Sequence, residues 1–362
     1  MSDARGITQW PSLPLGLAGA LLDDAEMGQL FSAEAEIEAT LAFERALARA
    51  QHDVGELTAE ALAAVEACAS PDRLDQSALL AGIGKDGLAV PAMVRQLREA
   101  IGEPHAKAFH RGSTSQDVID TALMLRLKQA VAVLIQRLDA VLEALSALSA
   151  RVGAEPAMAR TRFQDALPFT LGDRIATWIR PVQELRAASP SRFPLQFGGA
   201  IGLREASYGA NRQEIAARIA AELGLHEPGE AWHTDRRAIL DLLTWCSALA
   251  TVLGKLGQDV AIMAQTPVAE MQTPGGTSSA MPHKNNPVAA ELLVTLARYV
   301  SGHLSILQFA ALHENERSGI AWTQEWLVIP PAMMATAVST RRAHSLITNL
   351  TVPASRPAQI YG

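Results

Sequence analysis

The chain has 362 residues and a formal net charge of −7, and 49% of its residues are apolar while only 5% are aromatic. The net negative charge argues against nucleic acid or an anionic membrane as a partner, because both are bound through basic surfaces. Ala and Leu dominate the apolar residues and β-branched runs are few, so we expect an all-α fold.

The two cysteines, Cys68 and Cys246, are too few for a disulfide framework and have no metal-ligand spacing. The N-terminus lacks a signal-peptide pattern, and no uncharged apolar run reaches the roughly 18 residues that would span a bilayer. We therefore expect a cytoplasmic protein without a membrane partner.

The first predicted helix covers residues 25 to 52, where apolar residues recur at helical spacing. Two or three shorter helices are expected to follow, up to about residue 104. Residues 113 to 152 contain neither Gly nor Pro, which predicts one helix of roughly 60 Å. A helix of that length cannot bury its apolar stripe alone, and it therefore indicates a bundle.

Further helices are predicted to start at Pro168, with an interruption near Pro181, and to cover residues 235 to 265 and 287 to 316. No strand-like alternation is visible. We expect an N-terminal helical domain at residues 1–105 and a central domain of long bundled helices at residues 106–350.

The segment GIGKDG, at residues 82 to 87, has the GxGxxG pattern of a dinucleotide-binding loop. That pattern requires a preceding buried strand and a βαβ unit, and the Ala-rich SALLA before it is too short for such a strand. We therefore interpret GIGKDG as a turn.

Polar loops precede the long helices. HRGSTSQD (110 to 117) precedes the first, and here Ser113 with Gln116, or Thr114 with Asp117, would form a capping box. The same geometry also suits ligand binding, because a helix N-terminus with free hydroxyls and amides attracts anions. His110, just before it, is either a structural residue or a polar partner of the ligand.

The second loop, ARTRFQDALP (159 to 168), allows the same two interpretations for Thr161 and Gln164. The third loop spans residues 273 to 286, and loops longer than about 12 residues are usually functional or disordered. Its polar and flexible residues exceed what capping by Asn286 requires, and they are Gly275, Gly276, Ser278, Ser279, Met281, His283 and Lys284.

Glycines let a backbone approach a ligand closely. Ser278 would act as a base only if backbone amides and a nearby cation such as Lys284 stabilised its alkoxide.

These three loops, in this order before long helices, resemble the conserved regions of the fumarase/aspartase superfamily. TSSAMPHKNNP is similar to that family's signature GSSxMPxKxNP, TSQDVIDTA to its first region and ARTRFQDALP to its second. The resemblance extends over roughly residues 20 to 330. It implies an all-α fold with a long-helix bundle that forms the core of a homotetramer, active sites shared between subunits, and neither a metal nor an organic cofactor.

Within the superfamily, the chain most resembles the bacterial carboxymuconate cycloisomerases of protocatechuate breakdown. The supporting segments are FHRGSTSQDVIDTAL, QFGGAIG, AWHTDRRAI and HENERSGIAWTQEWLVIP. This resemblance implies interconversion of 3-carboxy-cis,cis-muconate, a small tricarboxylate, and 4-carboxymuconolactone.

The resemblance also assigns roles. Ser278 matches the catalytic serine, and Lys284 and Asn286 match positions that bind a substrate carboxylate and stabilise the intermediate. Four further residues match carboxylate-binding positions of the first two regions, namely Thr114, Ser115, Thr161 and Gln164.

The chain departs from the superfamily pattern in three places. Thr277 replaces a usual Gly, and the chain ends about one small helical domain earlier than many relatives. Arg162 stands where adenylosuccinate and argininosuccinate lyases carry a catalytic His. A cycloisomerase does not need that acid, because its reacting oxygen belongs to a carboxylate that is already ionised near pH 7.

A tricarboxylate needs more cations than a dicarboxylate, and Arg162, Arg236 and Arg317 lie in the motif-bearing segments. Salt bridges at the surface or between helices are the alternative role for these arginines. Two other functions remain open, namely a fumarate-releasing lyase of the same superfamily and a non-catalytic helical scaffold.

Overall fold

The computed structural model describes residues 16–276, 281 and 284–353. Within these ranges the chain forms twelve α-helices and one β-hairpin, which confirms the helical class. The helices are α1 Ala25–Leu30, α2 Ala33–Asp53, α3 Ala59–Cys68, α4 Gln76–Asp86, α5 Val90–Ile101, α6 Ser115–Val152, α7 Leu171–Ala187, α8 Arg204–Tyr208, α9 Arg212–Leu223, α10 Arg237–Met263, α11 Val288–Ala310 and α12 Gly319–Thr348. The strands are β1 Pro156–Thr161 and β2 Gln164–Thr170.

The long helices α6, α10, α11 and α12 form a bundle, which α7 joins, around the larger of the apolar cores. Helices α10 and α11 approach each other closely because glycines line their contact. A Cβ on Gly257 would lie 2.5 Å from the carbonyl oxygen of Ala290, and one on Gly254 would lie 2.6 Å from the Cβ of Ala297. Larger side chains at these two glycines would push the helices apart.

A second core is formed by helices α2 to α5 together with the first turns of α6. Helix α9 and the segment around Leu195 and Phe197 belong to the same core, although they follow the long helix in sequence. Helix α6 therefore runs through both cores, with Val118 in the second and Leu134 in the first.

The predicted helix at residues 25 to 52 is two helices, because the chain breaks at Phe31 and Ser32. The hydroxyl of Ser32 accepts a hydrogen bond from the backbone N–H of Ala35 at 3.1 Å, which caps the start of α2.

The prediction of a helix starting at Pro168 is wrong. Pro168 lies in β2, paired with Met158 of β1, and the helix starts only after Thr170, which forms a capping box with Asp173. The hairpin turn is made by Arg162 and Phe163, both with positive φ (52° and 65°). Such a turn is usually marked by Asn-Gly or Asp-Gly, so the sequence gives no warning of it.

Two other sequence interpretations change. The GIGKDG segment lies mostly inside α4, and only Gly87, with φ of 77°, forms the expected turn as the helix C-cap. Helix α12 was not predicted because Pro330 and Pro331 lie inside it, and proline normally breaks a helix.

One described helix, α10, is long and apolar enough by composition to cross a membrane, but 61% of its most apolar window is buried inside the protein. Burial of that kind is found in core helices of soluble proteins.

Candidate active site

The first motif forms the start of α6. Thr114 is the N-cap residue, and its backbone N–H donates to Oδ2 of Asp117 at 3.2 Å within a capping box. Asp117 also accepts from the backbone N–H groups of Gly198 (2.7 Å) and Gly199 (2.8 Å). The buried Asp117 carboxylate thus joins the first motif to QFGGAIG, and it leaves the half-buried Thr114 and Ser115 at the surface of this junction.

His110 precedes the helix in a left-handed conformation, with φ of 58°. Its Nδ1 lies 2.5 Å from Oε1 of Glu44, whose side chain is fully buried. Burial alone would lower the pKa of His110, but the charge and the hydrogen bond of Glu44 outweigh it, and the pKa is raised. His110 is therefore held in place by Glu44, which favours its protonated form.

A cleft of about 760 Å³ opens beside this helix start. His110 and Ser115 lie on its wall, and the opposite side is formed by α5 and by residues 102 to 107. The volume is within the range of small-molecule sites.

Arg236 does not face this cleft. It is 2% exposed and makes paired hydrogen bonds to Asp120 (2.7 and 3.1 Å) and to Glu325 (2.8 and 2.6 Å). Its guanidinium also lies over the Trp232 ring, 4.7 Å from the centroid. In this structure Arg236 therefore makes the inter-helix salt bridges that were the alternative to its predicted role in substrate binding.

Asp120 completes this buried network. Besides Arg236, it accepts hydrogen bonds from Gln196 Nε2 at 3.0 Å and from Trp322 Nε1 at 2.9 Å. Burial opposes ionisation of Asp120, but the Arg236 charge and these hydrogen bonds lower its pKa overall. Sequence reasoning gave Asp117 only a capping role and did not identify Asp120, although their three-residue spacing places both on one helix face.

Arg317 lies near the same helix start and is half-buried. Its Nε donates to Oε1 of Gln116 at 2.8 Å and its Nη2 to the carbonyl of Ala200 at 3.2 Å. Unlike Arg236, Arg317 contacts only neutral groups in these bonds, so its positive charge is not neutralised by them.

The second motif forms the tip of the β-hairpin. Thr161 and Gln164 are cross-strand partners, and Arg162 lies in the turn between them. All three residues are exposed. Their hydrogen-bonding groups and the guanidinium of Arg162 are therefore accessible to solvent in the single chain.

The third motif is described only in part, because Ser278 and residues 277–280, 282 and 283 lie outside the described residues. At its base, the backbone N–H of Asn286 donates to the carbonyl of Gly276 at 2.8 Å. Gly276 has φ of 83°, and a Cβ there would lie 1.9 Å from the Asn286 carbonyl oxygen, so this closure requires glycine. Lys284 is exposed just before it, and Asn286 is half-buried.

The motifs lie at two ends of the bundle. Helix α6 has 38 residues, so its ends are about 57 Å apart. The first motif is at its start, near Arg317. The hairpin follows its end, where the Met158 N–H donates to Glu270 Oε1 at 3.3 Å, and Glu270 lies just before the third motif. One chain therefore does not bring Thr114 and Ser115 together with the other two motifs.

Among the described residues there is no group of three or more His, Cys, Asp or Glu side chains that could hold a metal ion.

Comparison with known proteins gives consistent matches over most of the chain. A family described as lyase matches residues 24–302. The 3-carboxy-cis,cis-muconate cycloisomerase of Pseudomonas aeruginosa is 36% identical over 343 residues, which are 92% of this chain and 74% of that protein. Nitrosuccinate lyase of Streptomyces davaonensis is 37% identical over 330 residues, which cover 86% of this chain and 70% of that one.

A solved structure shows the same fold. The crystal structure of 3-carboxy-cis,cis-muconate lactonizing enzyme from Pseudomonas putida superposes with a TM-score of 0.84 at 34% identity, covering 93% of this chain and 77% of that chain.

Proposed function

Because this chain belongs to the lyase family that matches residues 24–302, we propose that it is a cycloisomerase that interconverts 3-carboxy-cis,cis-muconate and 4-carboxymuconolactone in protocatechuate breakdown. The observation that carries this proposal is the 36% identity to a cycloisomerase over 92% of the chain. The reaction needs no metal or organic cofactor. We place it in the cytoplasm, where the two free cysteines, Cys68 and Cys246, would stay reduced.

The reaction is an intramolecular addition. One substrate carboxylate oxygen forms a C–O bond to an alkene carbon, and a proton is added to the neighbouring carbon. In the reverse direction Ser278 removes that proton from carbon, and the electron pair passes into the adjacent carboxylate. Its return forms the C=C bond as the lactone C–O bond breaks and releases a carboxylate.

Lys284 and the amides of its loop stabilise the charge that develops on the carboxylate next to the carbanion. A preorganised donor of this kind is often worth about 3 to 4 kcal/mol of the activation barrier. The exposure of Lys284, beside the loop base closed by Gly276 and Asn286, leaves its ammonium group available for this role.

Arg162 supports ring closure over fumarate release. The leaving oxygen of a lactone becomes a carboxylate with an ordinary pKa near 4, so it needs no proton from an acid. The guanidinium of Arg162 cannot donate a proton near pH 7, but it can bind a carboxylate. Thr161 and Gln164 flank it on the hairpin and add neutral donors, and Thr114, Ser115, His110, Asn286 and Arg317 supply the rest of the substrate-binding set.

The active site is built from several chains of a homotetramer. The separation of about 57 Å between the ends of α6 supports this, because the three motifs can meet only if neighbouring chains contribute them. Large apolar side chains exposed on α11, α12 and their connection also favour association, and they include Phe309 (71%), Leu312 (76%), Ile320 (82%) and Leu327 (72%).

The test is an ultraviolet assay that follows loss of the conjugated diene of 3-carboxy-cis,cis-muconate, with the lactone identified by mass. We expect lactone formation by the wild type, and loss of turnover with an intact tetramer for Ser278→Ala. Co-assembly of inactive Ser278→Ala chains with inactive Thr114→Val chains should restore part of the activity, because some mixed sites receive both native residues. No lactone from the wild type would refute the activity, and no recovery in mixed tetramers would refute the shared site.

A lyase activity is the second candidate, and the similarity to nitrosuccinate lyase favours it. It predicts release of an unsaturated dicarboxylate from a substituted succinate. Parallel assays with nitrosuccinate, adenylosuccinate and argininosuccinate, read as fumarate formation by ultraviolet absorbance, distinguish it from ring closure. A non-catalytic scaffold would be inactive in every assay.

A further inference from the structure

Arg236 forms ion pairs with Asp120 and Glu325. A tricarboxylate bound near the first motif therefore has fewer free cations available than the sequence suggests. The cleft of about 760 Å³ beside His110 and Ser115 extends away from the motif, between α5 and residues 102 to 107. The residues of α5 and of the segment 102 to 107 that line it therefore border the same space as His110 and Ser115.

Three permanent cations line this cleft. They are Arg95 and Arg98 of α5 and Lys107 of the following segment. Arg98 has a structural task, since its Nε and Nη2 both donate to the Phe109 carbonyl, at 3.2 and 2.9 Å, and so hold the segment before His110 against α5.

Arg95 and Lys107 are different. Both are exposed, and neither has an ion-pair partner in the part of the chain that the structure describes. Two carboxylates, Glu99 and Glu103, also line the cleft, but the three cations outnumber them before His110 is counted. The cleft therefore attracts anions, and these two side chains are free to bind one.

We propose that Arg95 and Lys107 form a carboxylate subsite that binds the carboxylate present in a tricarboxylate substrate and missing from dicarboxylates. This inference rests on the proposed function, and it identifies which part of the cleft selects the substrate. The guanidinium of Arg95 suits paired hydrogen bonds to a carboxylate, and the ammonium of Lys107 adds a compact charge on a flexible stem.

The subsite acts on binding rather than on chemistry, because it contacts a carboxylate that does not take part in bond making. Both side chains are exposed, so replacing them leaves the folded core unchanged. The double variant Arg95→Gln/Lys107→Gln should raise the KM for 3-carboxy-cis,cis-muconate about ten- to a hundredfold, with kcat within about twofold of wild type.

A binding measurement makes the test independent of turnover. Calorimetric titration with tricarballylate, a three-carboxylate probe, should show a similar loss of affinity in the double variant, while glutarate, with two carboxylates, should change less than about threefold. Lys85→Gln is the matched control, since it removes an exposed lysine of the neighbouring helix α4 that does not line the cleft.

Equal losses for both probes, no loss for either, or the same selective loss in the Lys85→Gln control would overturn the subsite. Absence of lactone from the wild type would instead overturn the proposed function. The two calorimetric titrations would still decide whether Arg95 and Lys107 bind a third carboxylate.

Discussion

Replacing Arg236 with Met should destabilise the fold severely, although Met has a similar length and is apolar. The substitution removes the guanidinium that bridges Asp120 and Glu325, both fully buried, and the two carboxylates lose that shared positive charge. Glu325 keeps only the His313 ring, 3.5 Å away, as an ion-pair partner among the described residues. Breaking a buried ion pair by removing one partner costs about 3 to 5 kcal/mol of the free energy of unfolding. Because two carboxylates lose Arg236, we expect a cost near the upper end of that range.

Urea denaturation at one fixed protein concentration measures this loss, since association would otherwise shift the apparent stability. Arg317→Met is the control, because Arg317 donates to the neutral Gln116 amide and the Ala200 carbonyl, and its loss should cost about 1 kcal/mol. The double variant Arg236→Met/Glu325→Leu should recover part of the stability, since one stranded carboxylate is gone.

The reasoning is refuted if Arg236→Met unfolds within about 1 kcal/mol of wild type while its KM rises strongly. That result would mean that the guanidinium leaves Asp120 and Glu325 to bind substrate.

Two further predictions concern the first motif. Because the pKa of His110 is raised, its pairing with Glu44 stabilises the fold fully below the ordinary histidine pKa of 6.5, and this contribution is lost as pH rises through the pKa in the folded protein. The loss of stability caused by Glu44→Gln in urea titrations should therefore be largest at acidic pH. A difference in stability between wild type and variant that grows toward alkaline pH would contradict the pairing. Gly199→Ala should lower the free energy of unfolding by about 1 to 3 kcal/mol in thermal or urea unfolding, because its φ is 68° and the new Cβ would lie 1.9 Å from the Ser207 hydroxyl oxygen. Gly87→Ala is the control, since Gly87 has φ of 77° but open space around it, and it should cost about 1 kcal/mol or less. Equal costs for the two variants would show that no collision with Ser207 occurs.

The long helices were predictable where one local signal dominates. Residues 113 to 152 contain no helix breaker, and the helix Ser115–Val152 follows directly from that. Helix α12 was missed for the converse reason, because Pro330 and Pro331 are tolerated in the interior of a helix that packs against the bundle. Tertiary packing overrides local propensity there.

The hairpin was missed because neither its strands nor its turn carry the usual sequence signals. Its strands lack alternation, and its turn uses Arg162 and Phe163 in a conformation that most sequences assign to glycine or asparagine. The energetic reason for the turn therefore lies in the strand pairing around it and not in the turn residues themselves.

The candidate site was predictable only at its motifs. The sequence allowed two capping boxes, Ser113 with Gln116 or Thr114 with Asp117, because the spacing is local, and the structure has the second. The partners of Asp120 were not predictable, because Gln196, Arg236 and Trp322 are far apart in sequence and meet only when the bundle is assembled. The same distance explains why Arg236 resembled a substrate ligand before its partners were known.

Helix α6 is one unbroken helix that contributes side chains to both apolar cores, so it fixes the distance between them. Because α6 is continuous from Ser115 to Val152, it provides no hinge between the two cores. We therefore expect closure over a ligand to come from short segments at the ends of α6. Inserting a single residue near its middle would rotate one half of the helix by about 100° against the other, and the side chains in one of the two cores would lose their packing. The length of α6 therefore sets the separation between the first motif, at its start, and the hairpin that follows its end.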